Sequence, residues 1–111
     1  LQLQNPSNYA LYCKEKANRE CYETDHGFVT YSHISDYAIY IHDIFILKEF
    51  RQSRHGTKMV DDIVQLTRCK EIQSQVIIDS NGVEEAIKAH LGYGFKVSNA
   101  HNGKIYFIKE V

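Results

Sequence analysis

Ile44-Phe-Ile-Leu-Lys-Glu-Phe-Arg-Gln-Ser-Arg-His-Gly-Thr-Lys-Met-Val60 is the stretch whose reading decides the fold. It opens as an apolar, β-branched run, the pattern of a buried strand. It then passes into a basic loop, Arg51 to Gly56. From Thr57 onward Met59, Val60, Ile63, Val64 and Thr67 recur at helical spacing. A helix that opens out of such a loop leaves its first N–H groups without carbonyl partners, and together with the positive end of the helix dipole these favour an anion. Arg51, Arg54, His55 and Lys58 gather at the same point. The same residues equally suit an ordinary strand-to-helix turn with a solvated charged face, so local physics leaves both readings open.

Upstream of this stretch, Leu1 to Gln4 alternates like a short strand, and Asn5-Pro6 has the form of a helix start, with Asn as N-cap. The helix runs to about Ala17. Strands are predicted over 19–24 and 28–34, joined by Asp25-His26-Gly27 as a hairpin turn with Gly at a positive φ. Tyr37 to Leu47 is the longest strand, apolar on both faces and therefore central. Downstream of the helix at about 57–69, Ser74 to Asp79 is a further strand with Val76-Ile77-Ile78 buried, broken at Ser80-Asn81-Gly82. Asn81 and Glu84 have capping-box spacing for a second helix. Its apolar face carries Val83, Ala86, Ile87, His90 and Leu91, and Gly92 and Gly94 end it. Phe95–Ser98 and Lys104–Val111 are the last two strands, joined by a turn over 99–103. Strands with helices between them late in the chain imply an α/β (α+β) fold: a mixed, mostly antiparallel sheet flanked by helices.

The 111 residues suit one domain with a single core, spanning 1–111. With 43% apolar residues, 24% charged and a net charge of −1, the chain lacks the positive excess of a nucleic-acid binder. Cys13, Cys21 and Cys69 are odd in number and form no C-x-x-C pair, which favours free thiols and a cytoplasmic setting over a disulfide framework or a zinc site. No metal is expected: His33 and His42 on neighbouring strands lack a third ligand at a recognisable spacing. No run approaches the roughly 20 apolar residues of a membrane span, and the N-terminus does not read as a signal peptide.

Two local patterns within this element order resemble the GCN5-related N-acetyltransferase (GNAT) family. One is the family's acetyl-CoA signature, a hydrophobic strand followed by Arg/Gln-x-x-Gly-x-Gly/Ala and a helix; Arg51-Gln-Ser-Arg-His-Gly56 falls on it. The other is Ala-x-x-x-Tyr-x-x-x-Gly-Phe, which here reads Ala86-Ile-Lys-Ala-His-Leu-Gly-Tyr-Gly-Phe95. The resemblance covers residues 19–111. It implies acetyl-CoA as co-substrate, with its pyrophosphate on the amides of Arg51, Gln52, Ser53, Arg54, His55, Gly56 and Thr57, and pantetheine along the backbone of Ile46 and Leu47. Arg54 stands where the signature has its first glycine. Starting the signature at Gln52 instead would put His55 and Thr57 at the glycine positions.

The resemblance also directs attention to a proton donor for the coenzyme thiolate. The family commonly has a Tyr there, and this chain has His90, an imidazole suited to proton transfer or, equally, to a satisfied place in the core. Tyr93, on the same turn, is the substitute. The family's Asn three residues before the Ala is replaced by Val83. For deprotonation of the amine, the central strand offers His42 and Asp43, expected on opposite faces; Asp43 is taken as the candidate base, with Asp79 another. The activity implied is transfer of an acetyl group to a primary amine, on a small molecule or a protein. The alternative is a catalytically degenerate module of the same fold acting through protein–protein contacts. A homodimer formed through the final strand is one arrangement open to either.

Overall fold

The structure is a computed structural model that describes residues 6–79 and 81–111. The strand expected over 1–4 and the Asn5 cap lie outside the described residues. In chain order the elements are α1 (Asn8–Ala17), β1 (Glu20–Thr24), β2 (Gly27–His33), β3 (Ala38–Ile46), α2 (His55–Thr67), β4 (Glu71–Ile77), α3 (Val83–Gly92), β5 (Lys96–His101) and β6 (Lys104–Glu110), with a short 3-10 turn, Lys48–Phe50, after β3. Among the described residues, six strands form one mixed sheet of order β1-β2-β3-β4-β6-β5. The β3–β4 pair is parallel and the other neighbours are antiparallel, as the expected fold class requires.

Side-chain direction places the helices. Tyr22 donates to Asp62 of α2 at 2.8 Å, and its cross-strand partners Val29 and Ile44 share that face. Phe28, one residue along, points the other way and packs on Tyr9 of α1. Ser74 shares a face with Ile72, which pairs with Ile39, and it meets His90 of α3. So α2 and α3 cover one face, and α1 covers the β1–β2 end of the other. The core lies under α2 and α3: Val29, Ile39, Ile41, Val60, Ile63, Ile72 and Phe107 are fully enclosed. Each such side chain contributes about 1.5–3 kcal/mol of burial free energy.

Several local expectations change. Ser7, not Asn5, caps α1, accepting from the Ala10 amide at 3.0 Å. No side chain caps α3, so the Asn81–Glu84 box does not form; Gly82, in the left-handed conformation, sits at the N-cap. Strand β4 begins at Glu71, three residues before the expected start, and Ile77 and Ile78 are exposed beyond the core, as is Leu91. The last hairpin turns at Asn102-Gly103, both at positive φ, the two-residue loop that matches strand twist. Strand β6 is flanked by β4 and β5, so it has no free edge with which to pair across a dimer.

Gly27 is required by close approach rather than by the turn. It is the first residue of β2, and a Cβ there would overlap the Phe45 carbonyl of β3. Gly27→Ala should therefore cost about 2–4 kcal/mol, measured by urea denaturation. A cost under about 0.5 kcal/mol would mean that the two strands are not this close.

Candidate active site

The β3–β4 ladder closes only over Ala38–Tyr40 and Glu71–Gln73. Beyond it β3 runs on to Ile46 beside β2 while β4 continues beside β6, and a wedge opens between them. At the throat of the wedge is a cavity of about 90 Å³ lined by Ile41, His42, Ile44, Ser74, Gln75, Ala86, Ala89, His90 and Tyr93.

A β-bulge shapes the throat. Thr30 pairs with Asp43 and Tyr31 with Ile41, which leaves His42 as an extra residue in β3. The bulge corrects the expectation that His42 and Asp43 point to opposite faces. Ser32 meets His42 Nε2 at 2.8 Å, Thr30 donates to Asp43 at 2.7 Å, and Ser32 and Thr30 share one face of β2. His42 therefore enters the cavity from the α1 face. Asp43 lies outside the cavity lining, bound by Thr30 and, at 3.5 Å, by Arg19. Burial and the Arg19 charge lower the His42 pKa from 6.5, and Asp43 partly opposes them; the imidazole is neutral at neutral pH.

From the opposite face come Ser74, His90 and Tyr93. His90 Nδ1 lies 2.8 Å from the Ala86 carbonyl, which can only accept, so Nδ1 carries the proton. Nε2 then accepts from the Ser74 hydroxyl at 2.9 Å, a closer acceptor than the Ile41 carbonyl at 3.3 Å. Burial lowers the His90 pKa from 6.5, against the Ala86 hydrogen bond. Burial also raises the Tyr93 phenol, and Tyr93 covers the first turn of α2, where a Cβ at Gly56 would collide with its hydroxyl.

At the wide end of the wedge the loop enters α2. Arg54 is the N-cap residue, at φ 67°, with no side-chain cap and no acidic residue in the first turn. Gln52 is also left-handed, at φ 61°. Arg54 thus keeps the backbone conformation that a glycine adopts freely, at a strain of about 1–2 kcal/mol. The basic cluster itself is partly committed elsewhere. Arg51 Nε donates to the Ile46 carbonyl at 2.9 Å with its guanidinium over Phe45. Lys58 pairs with Asp62 at 3.3 Å, and His55 stacks on His26 at 3.8 Å between ring centroids. Arg54 is exposed and enters no ion pair among the described residues. Ile46 ends β3 and Leu47 follows it toward this loop, with Ser53 just before α2 and Thr57 in its first turn. Among the described residues no His, Cys, Asp or Glu cluster could hold a metal, and no helix is long and apolar enough to cross a membrane.

Solved structures share this fold. Ard1 from Thermoplasma volcanium superimposes with a TM-score of 0.64 at 19% identity, over 91% of this chain and 75% of that one. The PaiA N-acetyltransferase from Thermoplasma acidophilum, in complex with coenzyme A, gives 0.69 at 13%, over 88% and 65%. A GNAT family acetyltransferase from Elizabethkingia anophelis with acetyl-CoA bound gives 0.68 at 14%, over 100% and 95%. The fold is that of the GNAT acetyltransferases. No protein-family model and no curated protein matches the sequence. In the structure the throat of the wedge, the start of α2 and the His90–Tyr93 turn lie together. The sequence offers His42 only beside Asp43, with Asp43 the candidate base, and does not single out Ser74. His42 depends on a bulge that leaves no mark in the sequence. Ser74 had a signal, a polar residue between Ile72 and Val76 on the buried side of a strand.

Two outcomes follow. Arg54→Gly should stabilise the protein by about 0.5–1 kcal/mol, the relieved strain less the added freedom of the unfolded chain. For His90, the unfolded chain gains a proton as pH falls through about 6.5 while the folded chain resists it. Stability should therefore be lost below about pH 6.5 and down to the lower folded value, and His90→Gln should flatten part of that slope in urea titrations at about pH 7.5 and about pH 5.5.

Proposed function

We propose that the protein is an acetyl-CoA-dependent N-acetyltransferase formed by a single domain. One observation carries this reading: a cavity at the divergence of two parallel strands is reached from both faces of the sheet, and an uncapped helix N-terminus lies at its wide end. The coenzyme pyrophosphate rests on the amides of Arg51–Thr57, beside Arg54, which enters no ion pair among the described residues. Pantetheine runs along Ile46 and Leu47 into the wedge, replacing the missing ladder partner of β3. The thioester then lies in the cavity between Ser74, His90 and Tyr93 on one side and His42 and Gln75 on the other.

The acceptor amine arrives from the α1 face, past the uncharged polar surface of Tyr40, Gln73, Gln75 and Tyr106. His42, neutral at neutral pH, is better placed than Asp43 to remove its proton. The bulge leaves His42 without a cross-strand partner, and backbone amides there are suited to the oxyanion that forms during transfer. Tyr93, a neutral phenol, is the available donor for the departing thiolate, because both ring nitrogens of His90 are already engaged. That engagement is also what favours the second reading, a degenerate module that binds partners without turnover.

Calorimetric titration with acetyl-CoA tests the reading. Micromolar binding is expected, weakened about tenfold by Gly56→Ala, which displaces Tyr93 from the helix start. Turnover of an amine should fall on the acid side below about pH 6.5 as His42 protonates, and His42→Ala should remove that limb. Absence of binding at millimolar acetyl-CoA would defeat the proposal and leave the binding module.

A further inference from the structure

Among the described residues, no Asp, Glu, Lys or Arg lines the cavity. The charged groups beside His42 on the α1 face are Arg19 and Asp43, and they are committed to different degrees. Asp43 Oδ2 accepts from Thr30 at 2.7 Å and from Arg19 at 3.5 Å. For Arg19 that long contact is the side chain's one hydrogen bond among the described residues, and both partners are half-exposed. A guanidinium has five N–H donors, and an exposed pair of this kind holds them weakly.

Arg19 is placed beside His42 from two directions. Its partner Asp43 is the next residue along β3. The carbonyl of Asn18, just before Arg19, accepts from Ser32 at 3.5 Å, and Ser32 meets His42 Nε2 at 2.8 Å. Ser32 also pairs with Tyr40 across the ladder. The guanidinium charge reaches both side chains: it adds to burial in lowering His42, and it opposes burial and the Tyr106 phenol, which raise Tyr40. The nearby carboxylates give no counterweight. Glu20 pairs with Lys14, Glu23 accepts from Ser7, and Glu71, at the closed end of the β3–β4 ladder, accepts from Gln73 at 2.8 Å. A second ammonium group arriving beside His42 would find these carboxylates engaged and a guanidinium facing it. An anionic group would find N–H donors with no other partner.

We propose that the acceptor is an amine that also carries a carboxylate, as an α-amino acid does, and that Arg19 is the specificity-determining residue that binds this carboxylate. The inference rests on the acetyltransferase reading and narrows it. A guanidinium presents paired N–H groups in one plane, which match the two oxygens of a carboxylate. The acceptor takes the N–H groups that Asp43 leaves unused, while Thr30 continues to hold Asp43. Its two charges then meet two different groups: the carboxylate meets Arg19, and the ammonium meets the neutral imidazole of His42, which takes its proton. Polyamines and peptides rich in Lys or Arg are disfavoured by the same guanidinium.

Steady-state kinetics at about pH 8, where His42 is neutral, test this on matched acceptors: free α-amino acids, their carboxamides and a polyamine. Arg19→Gln should lower the acid-to-carboxamide ratio of kcat/KM at least about tenfold, by raising KM for the acids with little change in kcat. Comparing that ratio between parent and variant cancels the different basicities of the two amines. Arg19→Lys should restore part of it. Asp43→Asn separates acceptor binding from a merely structural role. If Arg19 binds the acceptor, Asp43→Asn lowers KM for the acids, because the guanidinium loses its competing partner. If Arg19 only steadies Asp43, the two variants impair turnover together, and the inference is overturned. An unchanged ratio in Arg19→Gln, or faster turnover of the polyamine than of the acids, overturns it too, while the transferase reading stands. Acetyl-CoA binding, measured in parallel by calorimetry, keeps the two apart. Without binding at millimolar acetyl-CoA both fall, and binding without turnover of the acids overturns the inference.

Discussion

The parallel ladder between β3 and β4 closes over three residues on each strand, and the rest of the structure depends on its stopping there. Parallel strands joined through a helix ordinarily pair along their length. Here β3 is bent by the bulge at His42 just past the last paired residue, and local twist rises at such a point. Strand β4 stays with β6, to which it is paired along its full length. The two therefore part, and the gap is lined on one side by His90 of α3 and by Tyr93 just after it, with Tyr93 reaching across to the first turn of α2. Opening a sheet leaves backbone polar groups without ladder partners, a cost that a molecule with amides along its length would offset by lying in the gap.

The polar side chains at the throat obey the same accounting. No buried side-chain nitrogen or oxygen among the described residues lacks a partner. Ser74, His90 and the Ala86 carbonyl satisfy one another in a chain, and removing Ser74 strands His90 Nε2. That mutual dependence explains how a His can occupy the core-facing side of α3. It also fixes the tautomer, and the tautomer fixes which way a proton can travel.

How much could be read from the sequence follows from what each feature depends on. Element order and the α2 core face depend on spacing within a segment, and Met59, Val60 and Ile63 are buried as their periodicity implies. The contents of the throat depend on relations between segments. Alternation along β3 put His42 and Asp43 on opposite faces, and one inserted residue in the pairing reversed that. Val76-Ile77-Ile78 read as a buried run because composition shows apolarity and not where a strand leaves its neighbours; the core ends at Val76. Asn102-Gly103 was legible in principle, since that dipeptide suits a two-residue hairpin, but a wider turn over 99–103 absorbed it. The basic loop shows the limit most plainly. Four cationic or titratable side chains cluster in sequence, and in space Arg51, His55 and Lys58 turn to Ile46, His26 and Asp62.

Arg54 is the exception in that loop, and its position joins strain to electrostatics. A left-handed backbone at a non-glycine residue persists only when surrounding structure imposes it. The imposition comes from both sides: Arg51 ties the start of the loop to the end of β3, and Gly56, held under Tyr93, sets where α2 begins. With both ends fixed, the residue between them takes the conformation the path demands, whatever its side chain. A glycine would meet that demand without strain but would bring no charge. Arginine accepts the strain and supplies a cation that enters no ion pair among the described residues, at a helix start that no side chain caps. An anion there would gain from amides, dipole and guanidinium at once, so the departure from glycine exchanges backbone ease for charge at the site where charge has most effect.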